Sequence, residues 1–151
     1  MTMKLRNVPF SPPDMTEAEA AEVRDAILSG WITTGPRTKK LEKEVAEFVG
    51  VDKAVYLNSQ TACGEMALRL LGIGDGDEVI VPAYTYTASA SIVGHVGAKL
   101  VFVDVQKDCL EMDYEAVEKA ITPNTKAIMP VDLAGIPCDY DRLYSIVEGK
   151  K

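Results

Sequence analysis

The segment Asn58–Ala62 has the residue types that hold an anion. It reads NSQTA and lies between a short apolar run and a region with helical periodicity. Backbone N–H groups at the start of a helix and the helix dipole attract negative charge, and the hydroxyls of Ser59 and Thr61 would add two donors. This arrangement favours a phosphate group. The alternative is that Ser59 or Thr61 only caps the helix, which is the commoner role of such residues.

A second candidate is the aromatic turn PAYTYT at residues 82–87, which follows another apolar run and leads into a helix. A flat side chain at this place could stack on a planar cofactor ring. Tyrosines are equally often half-buried packing residues with a hydrated hydroxyl group. Both interpretations are compatible with the pattern.

Four other side chains are weaker candidates for contact with a ligand. Asp132 follows a fourth apolar run and is a candidate for facing a ligand, whereas Asp139 is better explained as a helix N-cap. Asp104 ends the run FVDV, where tying down a loop is as plausible as touching a ligand. For His95, the single histidine, a packing or dipole-facing role is favoured over catalysis because it lies late in a predicted helix.

The sequence contains no motif typical of other common binding sites or active sites. The segment GIGDGD at 72–77 precedes an apolar run and lacks GxGxxG spacing, and no Walker A, GxSxG or HExxH sequence occurs. The three cysteines are far apart and not in CxxC spacing, so we expect neither a disulfide framework nor a metal site.

The elements that position these candidates are predicted by short apolar runs that alternate with helical patterns along the chain. The runs are nearly all apolar, which predicts strands covered by helices on both faces. Ligands of such sheets bind beyond the carboxyl ends of the strands. The sequence therefore predicts an α/β fold with three layers and a mainly parallel sheet. The predicted strands are Ala54–Leu57, Glu78–Val81, Leu100–Val105 and Ala127–Val131.

Helical periodicity and end signals predict six helices. The first is Glu17–Leu28, because Thr16 and Glu19 have capping-box spacing and Ser29-Gly30 follows. We expect residues 1–50 to form a helical segment and residues 51–151 the α/β domain, together as one structural unit. The remaining predicted helices are Thr38–Phe48, Thr61–Leu71, Thr87–Val96, Tyr114–Ile121 and Tyr140–Glu148.

The composition and charge of the chain argue against two classes of partner, nucleic acids and membranes. The 151 residues are 47% hydrophobic with a net charge of −7, and the basic residues form no run, which argues against nucleic acid. No stretch approaches the roughly 18 apolar residues of a membrane helix, and the N-terminus lacks the apolar core of a signal peptide. We therefore expect a cytoplasmic protein without a membrane partner.

Taken together, the segments resemble the DegT/StrS family of sugar aminotransferases, which depend on pyridoxal 5′-phosphate (PLP) and have fold type I. The matching pieces occur in the family's order and spacing over nearly the whole chain. They are GWITTGP at 30–36, NSQTA at 58–62, GDGDEVIVPAYTYTASA at 74–90, GAKLVFVDV at 97–105 and ITPNTKAIMPVDLAGIPCDYD at 121–141.

The resemblance implies roles for five residues. In similar enzymes the segment that matches Ser59, Gln60, Thr61 and Ala62 holds the PLP phosphate at a helix N-terminus. The aromatic residue that stacks on the pyridine ring matches Tyr86, although family members often have tryptophan or phenylalanine there. No catalytic residue is carried over, because the motifs of the Schiff-base lysine and of the pyridine-nitrogen aspartate are not in the chain, and neither Lys126 nor Lys150-Lys151 has the lysine's context.

The family transfers an amino group from glutamate to a keto-sugar bound to a nucleotide diphosphate, and its active sites lie between two subunits. The resemblance therefore implies part of the large domain of a PLP-dependent transferase, inactive alone, that forms a homodimer or associates through exposed apolar surface. Two alternatives stay open. One is a non-catalytic dimerising remnant domain, and the other is a fragment of a related PLP-dependent sugar dehydratase.

Overall fold

The computed structural model describes Asn7 and residues 9–148, which divide into one unit up to Tyr56 and another from Leu57. The first unit contains helices α1 (Glu17–Leu28) and α2 (Pro36–Val49). No helix in the described part of the chain is long and apolar enough to span a membrane. The second unit contains α3 (Gln60–Leu70), β1 (Glu78–Pro82), α4 (Thr87–His95), β2 (Lys99–Val103), α5 (Tyr114–Ala120), β3 (Thr125–Ile128), a 3₁₀ turn (Leu133–Gly135) and α6 (Tyr140–Glu148).

Local signals set the ends of the two helices in the first unit. The predicted capping box of α1 is confirmed, because the Thr16 N–H donates to Glu19 Oε2 at 2.6 Å and the Ala18 N–H donates to Thr16 Oγ1 at 3.2 Å. Helix α2 begins two residues before its predicted start. Pro36 occupies its first turn, where the missing proline N–H costs no hydrogen bond.

Both helices of the first unit expose apolar residues. None of the residues of α1 is buried, and Ala46 is the only buried residue of α2. Val23 and Ile27 on α1 are 59% and 61% exposed, and Phe48 on α2 is 92% exposed. Within the described residues, the first unit thus has almost no core of its own.

The second unit is organised around a parallel sheet whose strand order is β2-β1-β3. The central strand β1 is hydrogen-bonded on both sides, and all five of its residues are buried. Edge strands β2 and β3 are only partly covered. The predicted α/β class with a parallel sheet is confirmed.

Side chains alternate across the sheet and pack on two layers of helices. On one face, Val79 and Val81 of β1 join a cluster with α3 and α4. On the other face, Ile80 joins a cluster with α5 and α6. The three-layer arrangement is therefore confirmed. The buried helical residues of the clusters are Leu68, Ile92 and Val93 on the first face and Tyr114, Val117, Leu143 and Ile146 on the second.

The predicted strand Ala54–Leu57 is wrong. This segment belongs to no strand of the described sheet, and Val55 and Tyr56 are 74% and 60% exposed. A strand needs hydrogen bonds from a neighbouring strand, and none of the three described strands pairs with it. The Tyr56 N–H donates instead to Glu42 Oε1 at 3.0 Å.

A buried carboxylate joins the amino ends of the three strands. Glu78 accepts hydrogen bonds from Lys99 Nζ at 2.8 Å and from Thr122 Oγ1 at 2.6 Å. Its backbone N–H donates to the Asn124 carbonyl at 2.8 Å. The Lys99 ammonium, followed by the Thr122 hydroxyl, holds the pKa of the Glu78 carboxyl below its ordinary value.

Helices α3 and α4 pack closely because Gly64 has no side chain. A Cβ atom at Gly64 would lie 2.7 Å from Ile92 Cδ1, so a larger residue at this crossing would force the buried Ile92 side chain to shift. Beyond it, Glu65 Oε2 lies 2.9 Å from His95 Nδ1, and Arg69 donates to the His95 carbonyl at 3.2 Å. Hydrogen bonds from Arg69, then from His95, lower the pKa of Glu65. The histidine thus has a structural role in joining the two helices.

We predict opposite effects for alanine at two helical glycines. Gly64→Ala gains about 1 kcal/mol of helix propensity but overpacks the buried Ile92, which costs about 1–3 kcal/mol, so we expect a net loss of stability. Gly94→Ala meets no described heavy atom within 4 Å and should gain about 0.5–1 kcal/mol. Urea unfolding measures both, and a shift of the two midpoints in the same direction would contradict the close packing.

We predict that Glu78 contributes to the loss of stability in acid. Because its folded pKa is lowered, its contribution is present above the ordinary glutamate pKa of 4.5 and is lost as the pH falls through the folded value. Glu78→Gln should lower the urea midpoint at neutral pH and flatten its dependence on acid pH. The control is Glu115→Gln, which removes an exposed ion pair of 3.8 Å with Lys119 and should leave the pH profile unchanged.

Candidate cofactor site

Ser59 caps helix α3. Its backbone is extended, its Oγ accepts a hydrogen bond from the Ala62 N–H at 3.1 Å, and its carbonyl accepts one from the Cys63 N–H at 3.1 Å. The capping role that the sequence left open is therefore present in the structure.

The cap leaves donors free for an anion. The N–H groups of Gln60 and Thr61, in the first turn, have no carbonyl partner within the helix. The Ser59 hydroxyl uses its oxygen as an acceptor, so its own proton remains available to donate. Ser59 and Gln60 are exposed, whereas Thr61 and Ala62 are half-buried. Capping and anion binding are thus compatible at this segment.

Helix α4 begins at the second candidate, the aromatic turn. Tyr86 is its N-cap with an extended backbone, no side chain in the described chain caps the helix, and the tyrosine residue is 80% exposed. Thr85 Oγ1 and Ser89 Oγ lie 3.0 Å apart across the start of the helix. We did not single out this hydroxyl pair from the sequence, although its i, i+4 spacing is a usable signal.

The two helix starts lie at the same end of the sheet. Gly64 of α3 faces Ile92 of α4, and Glu65 reaches His95 farther along, so the helices run parallel. Helix α4 connects the parallel strands β1 and β2 and therefore runs opposite to β1. Because α3 is parallel to α4, the N-termini of both helices lie where β1 ends at Pro82. The structure brings the segment of residues 59–62 and the N-cap of α4 to one edge, with two helix dipoles directed towards it.

The two other aspartates considered for ligand contact are engaged within their own loops. Asp132 accepts hydrogen bonds from the Cys138 N–H and the Tyr140 hydroxyl, both at 3.0 Å, and these bonds lower the pKa of its carboxyl. Asp104 Oδ1 accepts from the Val105 N–H at 2.8 Å. Asp139 accepts from the Arg142 N–H at 3.0 Å, which confirms it as the N-cap of α6.

The lysines considered from the sequence and the possible metal ligands have the following positions. Lys126 is exposed on β3, and Lys150-Lys151 lie outside the described residues. Among the residues that the structure describes, no group of three or more histidine, cysteine, aspartate or glutamate side chains is placed to hold a metal ion. Cys63 and Cys109 are exposed free thiols, and Cys138 is buried.

The sequence matches the DegT/DnrJ/EryC1/StrS aminotransferase family over residues 13–151. The chain belongs to this family. PLP is the cofactor of this family. The expectation that the chain corresponds to the N-terminal portion of a family member is confirmed.

Several solved structures, including one of a dehydratase, are similar to this chain. A Streptococcus pneumoniae protein named a sugar aminotransferase, in its PLP form, is 60% identical with a TM-score of 0.93 over 96% of this chain. DesV of S. venezuelae, solved with a ketimine intermediate, is 41% identical with a TM-score of 0.81 over 89% of the chain. GDP-4-keto-6-deoxymannose-3-dehydratase, with a trapped PLP-glutamate geminal diamine, is 28% identical with a TM-score of 0.88 over 95%.

The chain spans less than half of the length of these proteins. Its matched portion covers 37% of the Streptococcus protein, 37% of DesV and 39% of the dehydratase. The α/β unit thus corresponds to part of the fold type I aminotransferase architecture.

Proposed function

We propose that this chain is the cofactor-binding N-terminal part of a PLP-dependent aminotransferase for a nucleotide-linked keto-sugar, with glutamate as the amino donor. The observation that carries the proposal is the pair of parallel helices, α3 and α4, whose N-termini meet at the carboxyl end of β1. The sugar aminotransferase name and PLP form of the Streptococcus relative support it. The glutamate adduct in the dehydratase structure supports glutamate as the donor.

In this proposal the first turn of α3 holds the cofactor phosphate. The free N–H groups of Gln60 and Thr61 point along the helix axis towards the anion, and the Ser59 hydroxyl donates to it while its oxygen accepts from the Ala62 N–H and caps the helix. Ala62 lines the phosphate site beside them. No acidic residue occurs in residues 58–62 or 83–89, so no carboxylate from either segment repels the phosphate. These residues therefore suit a doubly charged anion.

Tyr86 is proposed to cover one face of the pyridine ring. Its exposure at the N-cap of α4 leaves the aromatic ring available for stacking. The hydrogen-bonded hydroxyls of Thr85 and Ser89 brace the turn that carries it. When bound, PLP supplies an electron sink for amino transfer, and the residues of this chain bind and orient it.

We assign no catalytic residue to this chain and propose that it does not transaminate alone. It lacks the sequence contexts of the Schiff-base lysine and of the pyridine-nitrogen aspartate. In this proposal residues 1–50 are a helical segment and residues 51–151 are the incomplete large domain. The exposed apolar residues of α1 and α2 support association into a dimer. The exposed free thiols Cys63 and Cys109 support a reducing, cytoplasmic location.

A sugar dehydratase is the second candidate for the function of the whole protein. The specific observation is the match to the dehydratase structure, which extends over the same α/β region. Both chemistries use PLP, so the proposed roles of α3 and Tyr86 are common to them. Determining which residue occupies the Schiff-base lysine position of the whole protein would separate the two candidates.

We predict that the chain binds pyridoxamine 5′-phosphate more tightly than pyridoxamine. The aminated form is the better probe, because it cannot form Schiff bases with surface lysines. Ser59→Asp keeps a side-chain cap but puts a carboxylate beside the phosphate, so we expect binding at least about tenfold weaker, which is 1.4 kcal/mol. Titration followed by ligand fluorescence measures the change.

The matched control for that experiment is Ser59→Asn, which caps equally well without a charge. It should retain the wild-type unfolding midpoint and bind more tightly than Ser59→Asp. Tyr86→Ala should weaken the phosphorylated ligand without changing its preference over pyridoxamine. Equal affinity for the two ligands, or unchanged affinity in Ser59→Asp, would rule out the phosphate site at α3.

We also predict that the isolated chain forms no 2-oxoglutarate from glutamate and PLP above the rate of PLP alone. The physical reason is that the chain lacks the sequence context of the Schiff-base lysine, the group that moves the proton of the amino acid. Coupled detection of 2-oxoglutarate provides the measurement. A rate well above the PLP background, abolished by Tyr86→Ala, would show that the chain is a complete enzyme.

A further inference from the structure

A carboxylate, that of Asp132, follows strand β3 at the edge of the sheet where α3 and α4 begin. The register pairs Ile80 with Ile128, and the Met129 N–H donates to the Ile80 carbonyl at 2.9 Å. Pro130 is therefore level with Pro82, where β1 ends. Neighbouring strands lie about 4.8 Å apart. Asp132 thus leaves the sheet close to the carboxyl end of β1.

Helix α3 covers the half of the sheet that contains β3. Helix α4 is the crossover from β1 to β2 and covers the other half of this face. Helix α3 packs beside α4, and Leu68 of α3 belongs to the apolar cluster against which Ala127 and Met129 of β3 pack. The phosphate segment, residues 59–62, therefore lies on the same side of β1 as Asp132.

Two residues farther along the chain orient the Asp132 carboxylate. Its Oδ1 accepts hydrogen bonds from the Cys138 N–H and the Tyr140 hydroxyl, both at 3.0 Å, and its Oδ2 lies 3.1 Å from the same hydroxyl. The chain turns back between them through Ala134 and Gly135, both with left-handed backbones at φ 55° and 80°. This conformation is unfavourable for alanine, and such strain is concentrated at functional sites.

The negative charge of Asp132 is not neutralised by the groups that orient it. Both donors are uncharged, and in the part of the chain that the structure describes this carboxylate forms no ion pair with a lysine or arginine. The side chain is exposed, and a carboxylate has lone pairs for further donors. Asp132 is therefore equipped to bind a cation.

We infer that Asp132 binds the protonated amino group of the aminated cofactor, and that Tyr140 is the positioning residue of this carboxylate. Free N–H groups at the start of α3 and a carboxylate beyond β3 are complementary to a ligand that has a phosphate at one end and an ammonium group at the other. The inference rests on the proposed function, because the phosphate segment holds the other end of this ligand.

Asp104 is the matched carboxylate at the end of β2, on the other side of β1. Its side chain accepts a hydrogen bond from the N–H of the next residue, Val105, at 2.8 Å. No hydrogen bond from a described residue farther along the chain orients it. We therefore expect Asp104 to make no contact with the amino group, and its variant serves as the control.

The experiment compares two ligands that differ in one group. Pyridoxamine 5′-phosphate carries an aminomethyl group, which is a cation at neutral pH, and pyridoxine 5′-phosphate carries a neutral hydroxymethyl group in the same place. The parent chain should bind the amine about fivefold more tightly, as expected for an exposed ion pair. Titration followed by ligand fluorescence measures this preference, which should decrease as salt is added.

Three variants identify the group that gives the preference. Asp132→Asn keeps an oxygen for the Cys138 N–H but has no charge, so it should lose the preference and retain the parent affinity for pyridoxine 5′-phosphate. Tyr140→Phe keeps the ring and loses the orienting hydroxyl, so it should lose part of the preference. Asp104→Asn should bind both ligands like the parent chain. Urea unfolding of each variant measures its stability.

Each failure has a distinct meaning. Equal affinity of the parent chain for the two phosphorylated ligands overturns the inference, and the phosphate site stands if both bind more tightly than pyridoxamine. Loss of the preference in Asp104→Asn but not in Asp132→Asn also overturns it. If Asp132→Asn does not fold, an unchanged preference in a folded Tyr140→Phe chain has the same result. Failure of both phosphorylated ligands to bind more tightly than pyridoxamine overturns the inference together with the phosphate site.

Discussion

The second unit depends on the burial of strand β1 between two layers of helices. Val79, Ile80 and Val81 are fully buried, and each such side chain contributes about 1.5–3 kcal/mol when it leaves water. Hydrogen bonds on both edges hold the strand to β2 and β3. Because β1 cannot shift without breaking both ladders and both apolar clusters, its direction fixes the directions of the elements around it.

That constraint explains where the candidate site lies. Helix α4 is the crossover from β1 to β2 and returns antiparallel to β1. Helix α3 packs beside α4 in the same direction, so both helices start at the carboxyl end of β1. Towards the opposite ends of these helices, Glu65, Arg69 and His95 form a hydrogen-bonded cluster, and Glu78 binds Lys99 at the amino ends of the strands. The first turns of α3 and α4 instead present hydroxyl groups and an aromatic ring. Charged side chains thus serve stability at one end, while uncharged donors remain for an anion at the other.

The open surfaces follow from the same architecture. Strand β3 is an edge of the described sheet, and an apolar groove lies between it and helix α6. In the first unit, Val23, Ile27 and Phe48 lie at helical spacings typical of a core face but are exposed. Members of the family with solved structures have much longer chains.

The sequence by itself determined the features that depend on neighbouring residues. Helix ends followed from capping at Thr16 and Asp139, because a cap bonds backbone groups within one turn. The βαβ rhythm determined the α/β class, and the ordered motifs determined the family. The residue types of the phosphate segment, residues 59–62, were also visible in the sequence.

Tertiary structure decided what depends on residues far apart in the chain. It excluded the strand predicted at Ala54–Leu57, because a run of β-branched residues becomes a strand only beside a partner. It paired His95 with Glu65 and Asp132 with Tyr140 through side-chain hydrogen bonds that no local sequence pattern identifies. It also placed the starts of α3 and α4 side by side. The physical reason is that long-range packing, and not local periodicity, selects which ends of which elements meet.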